Sequence, residues 1–501
     1  MEPTRKLRVF FVKPYQPSTN FVVSPPIGIL SIISCLRERF GNQIEIRYLD
    51  AKVRRLASSE LTEYLAWADV IGISALNFEA KASAEIAKMA KALDRRKITV
   101  LGGPYAHRRA PEILGALPEI DWVFDGESEY TFPEAIARLI DGKAFDGVKG
   151  MYYRDADSGA LVSPLDNDFI TDLDALPFPA WDLVDFDQYA RQPNMNAWMK
   201  GKRYGVLFTS RGCPYKCAYC HDIFTKKFRW MSPERVLAEI DLLVTKYGVD
   251  EFQIVDDIFN LHKPRVRAIF GGVIERYGKG KLHFCFPNGL RGDILDRAVV
   301  HDIKEGGGYQ VTLAVETVTP RLQELIQKNL DIDKVASFIK HCHEEGIVVK
   351  GFFMLGFPTE TREELWNTIR FAWKSKLSFA SFFTVVPQPG TPLHALAKQE
   401  NAEALAKLLD ANYYDDKPWY TLAYDYPLGL ASNIAYLGFY FTPSRLYRLL
   451  RHLPIATVWS GFWQFLSILA SSDLGATATR LRLWAKGLSA SSVRTNRRYS
   501  E

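Results

Sequence analysis

Short apolar runs alternate with amphipathic segments over the first 150 residues of the chain. The runs are LRVFFVKP (7–14), IEIRYLDA (44–51), DVIGISAL (69–76), ITVLGG (98–103) and DWVFDG (121–126), and each is typical of a buried strand. Segments between them, such as EAKASAEIAKMAKALDRR, have the spacing of amphipathic helices. Because strands that alternate with helices pair in parallel through right-handed crossovers, the pattern predicts an α/β fold with a doubly wound parallel sheet.

A second series of strands and helices begins near Arg203 and repeats a unit of about 30 residues, the size of a βα module. Its predicted strands are YGVLFTS (204–210), EFQIVDD (251–257), LHFCFP (282–287), YQVTLAVE (309–316), VVKGFFMLGF (348–357) and FASFFTVVP (379–387). Ser232-Pro233-Glu234 is a helix-start signal ahead of RVLAEIDLLVTKYG. Six such units predict a full or partial TIM-like (β/α)6 barrel, whose active site lies at the C-terminal ends of its strands.

These patterns divide the chain into four predicted regions. Residues 1–150 form the first domain and residues 201–400 the second. Residues 151–200 are expected to be a linker, because MYYRDADSGALVSP is typical of a small hairpin and ALPFPAWDL of an extended crossing. From residue 401 to 501 the alternation of strands and helices stops, and we expect a helical C-terminal region.

Composition is ordinary for a folded protein, with 47% hydrophobic and 24% charged residues and a net charge of +5. The N-terminus has too short an apolar run for an export signal, so we expect a cytoplasmic protein with reduced cysteines. Residues 443–501 hold nine Arg or Lys against two acids, which places the positive excess at the C-terminal end. No recognisable motif accompanies these basic residues, and the sequence predicts no nucleic-acid partner.

Small residues follow the strands of the first domain, where doubly wound sheets bind their ligands. These candidate binding residues are Ser74, Gly102, Gly103, Gly126 and the adjacent Glu127. Glycine lets a ligand approach the backbone closely, although glycine after a strand is also a common turn residue. No GxGxxG motif with a downstream acid is present, so the sequence does not favour a dinucleotide site.

Three of the six cysteines lie within eight positions, in the stretch RGCPYKCAYCHDIF, and have the spacing Cys213-x3-Cys217-x2-Cys220. A structural zinc site usually uses four ligands in two pairs, and no second CxxC is present. His221 is a conceivable fourth ligand, but the adjacent Cys220 leaves little freedom for both. A 4Fe-4S cluster held by three thiolates keeps one iron free for a substrate or cofactor. Zinc or purely structural cysteines remain the alternatives.

The CxxxCxxC spacing after the first strand of such a barrel resembles the radical SAM superfamily, and Tyr219 occupies the aromatic position before the last cysteine. The resemblance implies a 4Fe-4S cluster on Cys213, Cys217 and Cys220. It also implies that the free iron binds S-adenosylmethionine (SAM) and that reduction of the sulfonium produces a 5′-deoxyadenosyl radical. The other cysteines, Cys35, Cys285 and Cys342, are predicted to be buried small hydrophobes.

Further positions match the superfamily one by one, and each would contact SAM. The implied residues are Tyr219, Asp256, Asp257, Arg291, Glu316 and Gly356. The two aspartates would face the methionyl ammonium, Arg291 the methionyl carboxylate, and Glu316 the ribose hydroxyls. Gly356 would lie on the adenine-binding strand and loop, where Phe352 and Thr359 depart from the usual glycines. Taken singly, an aspartate at a strand end is often a helix cap or turn residue.

A doubly wound domain placed before such a barrel resembles the cobalamin-binding class of radical SAM enzymes, over roughly residues 7–390. The resemblance implies that Ser74, Gly102, Gly103, Gly126 and Glu127 contact cobalamin. The DxHxxG motif that supplies a histidine to cobalt in other cobalamin proteins is missing, and His107 is the only histidine before residue 200. The resemblance therefore leaves the lower cobalt face without a protein histidine.

Near the C-terminus, LPIATVWSGFWQFLSILASS (453–472) is uncharged and rich in aromatic residues. Basic residues flank it: Arg445, Arg448, Arg451, Arg480, Arg482 and Lys486. Three interpretations remain open, namely a helical cap over the barrel, an interfacial helix at an anionic membrane through residues 443–486, and a membrane span.

The sequence leads to the hypothesis of a cobalamin-dependent radical SAM methyltransferase. It would methylate an unactivated carbon of a hydrophobic small molecule, such as a natural product, lipid or tetrapyrrole. An external donor such as flavodoxin or ferredoxin would supply electrons. The alternatives are a cyclase or oxidase that uses the same cofactors without methyl transfer, and a non-catalytic cobalamin or redox sensor. The substrate, its proton-handling residue and the oligomeric state do not follow from the sequence.

Overall fold

A computed structural model describes residues 6–16, 22–155, 158–164, 169–196, 198–410, 428–443 and Arg445, without the side chains of residues 407–410. The chain divides into two compact units, which are described separately. The first comprises Met1–Tyr215, His221–Asn288 and His301–Tyr309, and the second comprises Lys216–Cys220, Gly289–Val300 and Gln310–Glu501.

The first unit begins with a seven-stranded sheet in the order β2-β1-β3-β4-β5-β6-β7. In chain order its elements are β1 (Leu7–Lys13), α1 (Ile27–Phe40), β2 (Ile44–Asp50), α2 (Ser58–Trp67), β3 (Val70–Ser74), α3 (Ala80–Leu93), β4 (Ile98–Gly102), α4 (Ala110–Ala116), β5 (Trp122–Phe124), α5 (Thr131–Asp141), β6 (Met151–Arg154) and β7 (Leu161–Val162). Strands β1 to β5 are parallel, whereas β6 and β7 are antiparallel. The predicted doubly wound sheet is therefore confirmed, with a short antiparallel extension.

Both faces of this sheet are covered, which explains why its strands are continuous apolar runs. Phe10 and Val12 of β1 belong to a core that also contains Leu65 of α2 and Ile86 of α3. Phe11 points the other way, and its ring lies 5.5 Å from that of Phe132 in α5. Adjacent residues of one strand thus serve opposite helical layers, as the alternation of side chains along a strand requires.

The rest of the first unit contains three parallel strands of the second predicted domain. Its elements are α6 (Phe186–Ala190), β8 (Tyr204–Leu207), β9 (Ser210–Arg211), β10 (Arg229–Trp230), α7 (Pro233–Tyr247), β11 (Glu251–Ile254), α8 (Lys263–Tyr277), β12 (His283–Leu290) and α9 (Arg297–Glu305), the last two of which continue into the second unit. Strand β11 pairs in parallel with β8 and with β12. The Ser232 side chain accepts a hydrogen bond from the Arg235 backbone, so the predicted cap does start α7.

The second unit continues the alternation. Its elements are β13 (Gly308–Glu316), α10 (Pro320–Leu325), α11 (Ile332–Glu344), β14 (Val348–Leu355), α12 (Arg362–Lys374), β15 (Phe379–Thr384), α13 (Pro392–Asp410) and α14 (Leu428–Tyr440). Strands β13, β14 and β15 pair in parallel. All six predicted strands of the second domain are present, and the described part of the C-terminal region is helical, with a break at Asn401 in α13.

The compact units do not follow the predicted domain boundaries, since residues 1–215 and 221–288 belong to one unit. Those boundaries stay predictions. The predicted linker also contributes to the first domain, because β6 pairs with β5 at the edge of its sheet. A short strand of this kind needs a neighbour for its backbone groups, and sequence periodicity does not reveal which neighbour it takes.

The C-terminal hypotheses fall mostly outside the described residues, including 453–472, Arg448, Arg451, Arg480, Arg482 and Lys486. Arg445 is described, and its burial disagrees with the interfacial interpretation, one of the three that the sequence left open. Its side chain is 1% exposed and donates to the carbonyl oxygens of Leu377 and Phe439, among others. Burial with carbonyl partners satisfies the guanidinium inside the protein. Within the described residues, no helix combines the length and the apolarity that crossing a membrane requires.

Candidate functional site

The cysteine loop (residues 213–220) follows β9 and carries three cysteines, none of which is in a disulfide bond. Cys213 and Cys217 are partly exposed and Cys220 is exposed, whereas Cys35, Cys285 and Cys342 are buried, as predicted. Burial raises the pKa of the Cys35 thiol to about 12, so this cysteine stays protonated and unreactive. The cysteine loop therefore holds the accessible sulfur ligands among the cysteines of this chain.

Backbone packing explains why this loop begins with glycine. Gly212 has a φ of +80°, and a Cβ there would lie 2.3 Å from the carbonyl oxygen of Lys227 and 2.9 Å from that of Phe224. A side chain would meet both a strained conformation and two backbone oxygens. The glycine that precedes Cys213 is thus required by the chain that returns after the loop.

Residues 216–220 of the loop belong to the second unit, where Ala218 anchors them. The Ala218 backbone donates to the carbonyl of Ile326 at 2.8 Å and accepts from the amide of Leu393 at 2.9 Å. Its methyl group is 3% exposed and packs in a cluster with Leu322 and Phe357. The residue between Cys217 and Tyr219 therefore anchors the loop.

The chemistry of the donor set fits an iron–sulfur cluster. Three cysteines on one short, partly exposed segment, none of them in a disulfide bond, are the ligands that an open 4Fe-4S cluster takes from a protein. Among the described residues, no group of three His, Cys, Asp or Glu side chains is arranged to hold a metal ion. The fit is accordingly one of ligand type and spacing.

Tyr219 of the loop belongs to a polar cluster in the second unit. We call this cluster the Glu316 group, and its other members are Glu316 and Lys328. The Tyr219 hydroxyl donates to Glu316 Oε1 at 3.1 Å, and Lys328 Nζ lies 3.0 Å from both oxygens. Burial raises the pKa of Tyr219 well above its usual value, and the charges of Glu316, Cys217 and Cys220 raise it further. The phenol therefore stays protonated and remains a donor.

Glu316 is held in an unusual backbone conformation. Its φ of +65° is rare for a residue with a side chain, and the register of β13 against β14 shifts between Ala314 and Glu316. Bulges of this kind redirect a side chain at the end of a strand and are common beside active sites. The bulge and the positive φ distinguish Glu316 from the other strand-end residues, and its predicted contact with the SAM ribose stays a prediction.

Lys328 was missed by the sequence analysis, because it lies in a turn without a motif. It is 7% exposed, and the predicted residue Arg291 supports its backbone, donating to the Lys328 carbonyl at 3.0 Å. Arg291 also pairs with Asp293 at 2.9 Å. The structure thus places Arg291 in the support of the Lys328 segment, and its predicted contact with the methionyl carboxylate stays a prediction.

Asp256 and Asp257 lie just after the carboxyl end of β11 in the first unit, and they have different partners. The Asp256 carboxylate is 2% exposed and accepts from the Thr209 amide at 2.6 Å and the Ser210 hydroxyl at 2.6 Å. Burial raises its pKa against the opposing effects of Arg265 and these hydrogen bonds. Asp257 accepts from the Gly212 amide at 3.2 Å, and burial raises its pKa. Both aspartates brace the segment that leads into the cysteine loop, and their contacts with SAM stay predictions.

Gly356 lies after β14 with a φ of +90°, and a Cβ there would lie 2.3 Å from Leu428 of α14. Its amide donates to the buried Glu360 carboxylate at 2.6 Å. Thr359, where the superfamily usually has glycine, has a φ of +64°. This loop therefore keeps a glycine-like conformation despite the substitution, and its contact with adenine stays a prediction.

The predicted cobalamin residues Ser74, Gly102, Gly103 and Gly126 lie at the carboxyl ends of β3, β4 and β5, and we call them the sheet edge. A Cβ on Gly102 would have no atom within 4 Å, which leaves room for a ligand. A Cβ on Gly103 would lie 2.8 Å from Ser74 Oγ, and its φ is +84°. Gly102 thus fits a contact with cobalamin, whereas Gly103 is required by packing. Contacts of the sheet edge with cobalamin stay predictions.

Several charged side chains near the carboxyl ends of the strands of this sheet are already paired within the protein. The Glu127 carboxylate is fully buried and lies 2.8 Å from Arg229. Its partner is therefore inside the protein, and the carboxylate is not open to a ligand. Lys13 at the end of β1 donates to the buried Glu79 carboxylate, and Lys52 lies 2.7 Å from the same carboxylate. Burial lowers the pKa of Lys13. Sequence reasoning missed Lys13, Lys52 and Glu79, because no motif distinguishes them.

Comparisons with known proteins agree with this arrangement. Residues 207–372 match the Radical SAM superfamily, and residues 21–136 match the B12 binding domain. The chain is 30% identical over 381 residues to an uncharacterized methyltransferase of Pyrococcus horikoshii, covering 75% of this chain and 79% of that protein. It is also 30% identical over 355 residues to the cytidylyl-2-hydroxyethylphosphonate methyltransferase of Streptomyces wedmorensis, covering 65% of this chain and 66% of the relative.

A solved structure has the same fold. The radical S-adenosylmethionine methyltransferase TsrM from Kitasatospora setae, with cobalamin and a [4Fe-4S] cluster bound, aligns with a TM-score of 0.63 at 17% identity, over 79% of this chain and 75% of that chain. The two matched domains imply the predicted cofactors, namely a 4Fe-4S cluster, SAM and cobalamin. This chain therefore belongs to the radical SAM family of enzymes that carry a B12-binding domain.

Proposed function

We propose that this enzyme transfers a methyl group to a carbon atom of a small-molecule substrate. The observation that carries the proposal is the association of two accessible cysteines of the cysteine loop, Cys217 and Cys220, with the Glu316 group in one compact unit. Two relatives at 30% identity that are named methyltransferases support methyl transfer over other reactions of the family.

When bound, a 4Fe-4S cluster with SAM would supply radical chemistry, and cobalamin would supply methyl-transfer chemistry. The chain's own residues bind and orient. We assign Cys213, Cys217 and Cys220 to the cluster and Glu316 to the hydroxyls of SAM. Lys328 lies 3.0 Å from the Glu316 carboxylate and the Tyr219 hydroxyl donates to it at 3.1 Å, so the carboxylate oxygen is held in place by two side chains.

A hydrophobic substrate is part of this proposal, and its support is the aromatic sequence of residues 453–472. By its name, the Streptomyces relative acts on a polar, nucleotide-linked phosphonate. Binding assays should therefore include both an isoprenoid or tetrapyrrole and a cytidylyl phosphonate. Preferential binding of the polar compound would overturn the hydrophobic class and leave methyl transfer intact.

An external one-electron donor such as flavodoxin or ferredoxin completes the proposal. The three cysteines outside the cysteine loop are buried in separate elements, α1, β12 and α11, so they are poorly placed to relay electrons. Reduced flavodoxin should support turnover in place of a chemical reductant. Turnover that needs neither would contradict an external donor.

The test is anaerobic reconstitution with iron, sulfide and hydroxocobalamin, followed by reduction in the presence of SAM labelled in its methyl group with deuterium. Methyl transfer predicts 5′-deoxyadenosine, S-adenosylhomocysteine and a product that carries the labelled methyl. The double variant Cys217→Ser/Cys220→Ser is the control and should give none of these.

Other outcomes identify the alternatives. A product without the label, together with 5′-deoxyadenosine, would indicate the cyclase or oxidase. No 5′-deoxyadenosine from a fully loaded protein would indicate the sensor. Either result would overturn methyl transfer.

A further inference from the structure

Within the first unit, two buried or half-buried charged groups link the N-terminal sheet to both ends of the cysteine loop. The first, the arginine–glutamate group, consists of Glu127, Glu129, Arg211 and Arg229. The second, the His107 group, consists of His107, Arg108, Asp125 and Asp222. Neither group contains a cysteine, and the proposed reaction uses neither of them.

The arginine–glutamate group holds the segment before the loop. Arg211 lies two residues before Cys213, and its guanidinium approaches Glu129 at 2.6 Å and Glu127 at 3.3 Å. Arg229 binds both oxygens of Glu127 at 2.8 Å in a bidentate pair. All four side chains are at most 9% exposed. Planar, desolvated pairs of this kind fix geometry more than they add stability.

The His107 group holds the segment after the loop. Asp222 lies two residues after Cys220, and its carboxylate accepts from His107 Nε2 at 3.0 Å. The other ring nitrogen, Nδ1, lies 2.9 Å from Asp125 at the end of β5. Because ionised carboxylates only accept hydrogen bonds, this ring donates from both nitrogens and carries a positive charge. Arg108 adds a second ion pair to Asp222.

His107 is therefore not available to cobalt, since both of its nitrogens face carboxylates. Burial acts to lower its pKa, but the hydrogen bonds and charges of Asp125 and Asp222 outweigh that effect and raise it. A positive charge fixed between two aspartates is the arrangement expected of a connector. It ties the loop after β4 to Asp222, two residues after the last cysteine of the motif.

We propose that these two groups are positioning residues for the iron–sulfur cluster: by fixing both ends of the cysteine loop to the sheet of the B12-binding domain, they hold its thiols ready for iron. Cluster assembly then depends on side chains of the other domain that touch neither iron nor SAM. This inference rests on the proposed assignment of Cys213, Cys217 and Cys220 to the cluster.

The test uses the full-length chain, reconstituted anaerobically with iron and sulfide in the absence of cobalamin and SAM. Glu127→Gln removes a charge from the first group, and His107→Gln removes one from the second. Since loss of a supporting partner costs roughly 10- to 100-fold in metal affinity, a chelator should strip iron from each variant at about tenfold lower concentration than from the natural chain. The electron paramagnetic resonance spectrum of the residual reduced cluster should broaden.

Glu239→Gln is the matched control. Glu239 is 6% exposed, lies in the same unit and pairs with Arg235 at 3.1 Å, but it touches neither end of the loop. Its variant should lose comparable thermal stability and retain iron as the natural chain does. Amide exchange of residues 211–224 in the iron-free protein supplies a second measurement, with faster exchange expected in the two test variants alone.

Natural iron retention and unchanged exchange in Glu127→Gln and His107→Gln would overturn the proposal. Equal loss of iron in Glu239→Gln would also overturn it, because the effect would then be one of general stability. Failure of methyl transfer leaves this test unaffected, since iron binding is measured without substrate. Failure of cluster binding in the natural chain would instead refute the assignment of the cysteines.

Discussion

The sheet edge of the first unit and the Glu316 group of the second unit are both predicted cofactor sites at the ends of parallel strands, yet they are built differently. At the sheet edge, Gly102 leaves open space, and the neighbouring charged side chains Glu127 and Glu79 are already paired. In the Glu316 group, three polar side chains converge within 3.1 Å of one another.

The difference indicates two modes of recognition. A large cofactor such as cobalamin would be held at the predicted sheet edge by open space and backbone, so that glycines would matter there and the charged side chains would serve the scaffold. A small charged cofactor such as SAM needs oriented polar groups, so a strained glutamate with a buried lysine is appropriate. Each mode predicts a different response to substitution.

The largest effect is expected from a substitution in the cysteine loop. This substitution should distinguish the SAM and cluster site from the cobalamin site. Cys217→Ser should abolish cluster formation and all cleavage of SAM, because serine does not replace a thiolate ligand of iron. Cobalamin binding should remain, since the sheet edge has no part in ligating the cluster. Iron analysis and cobalamin absorbance after gel filtration measure both properties. Loss of cobalamin as well would show that the sites are not independent, and Cys35→Ala should affect neither.

Glu316→Gln should weaken SAM binding by roughly 10- to 100-fold, the value of a hydrogen bond to a charged group. Equilibrium dialysis with the cluster-loaded enzyme measures the affinity. Glu364→Gln is the matched control, because it removes a carboxylate that pairs with Arg321 in the same unit. SAM affinity equal to that of the natural enzyme in Glu316→Gln would contradict a site built from charged side chains.

Gly102→Leu should weaken cobalamin binding by about tenfold, because filling an open contact surface costs of the order of 1–3 kcal/mol. The protein should fold, since the position has no positive φ and a Cβ meets nothing within 4 Å. Gly115→Leu in α4, where a Cβ also meets nothing, is the control. Tight cobalamin binding in Gly102→Leu would refute recognition by space at the sheet edge.

The smallest effect concerns pH and the His107 group. Because the pKa of His107 is raised in the folded state, its stabilising contribution is complete below the unfolded value of about 6.5 and is lost as pH rises through the folded value. The groups facing it are Asp125, Asp222, Arg108 and His221. The stability difference between the iron-free natural chain and His107→Gln should therefore shrink at alkaline pH, as thermal unfolding can measure. A difference that grows with pH would contradict a charged imidazole.

Much of the fold followed from local patterns. The predicted strands 7–14 and 98–103 correspond to β1 and β4, and Ser232 caps α7 as expected. Apolar runs and capping residues act over a few positions, so contiguous sequence contains the information. The cysteine motif could be recognised for the same reason: all three cysteines lie in one short loop of contiguous sequence.

The partners of charged residues could not be predicted from the sequence. The position of Glu127 after a strand predicts a ligand contact, whereas its carboxylate pairs with Arg229, 102 positions further along the chain. No sequence motif distinguishes Lys328, and it reaches Glu316 only because the fold of β13 and the following turn brings the two side chains together. The interfacial interpretation places Arg445 at a surface, whereas in the structure its side chain is buried among carbonyl oxygens.

The sequence alone determined the order of strands and helices, the spacing of the three cysteines and the family, because periodicity and motif spacing are properties of neighbouring residues. Only the tertiary structure decided which carboxylates are committed to the scaffold and which lie beside the cysteine loop. The physical reason is that a buried charge must find a counter-charge or a hydrogen bond, and the chain supplies that partner from wherever folding brings it.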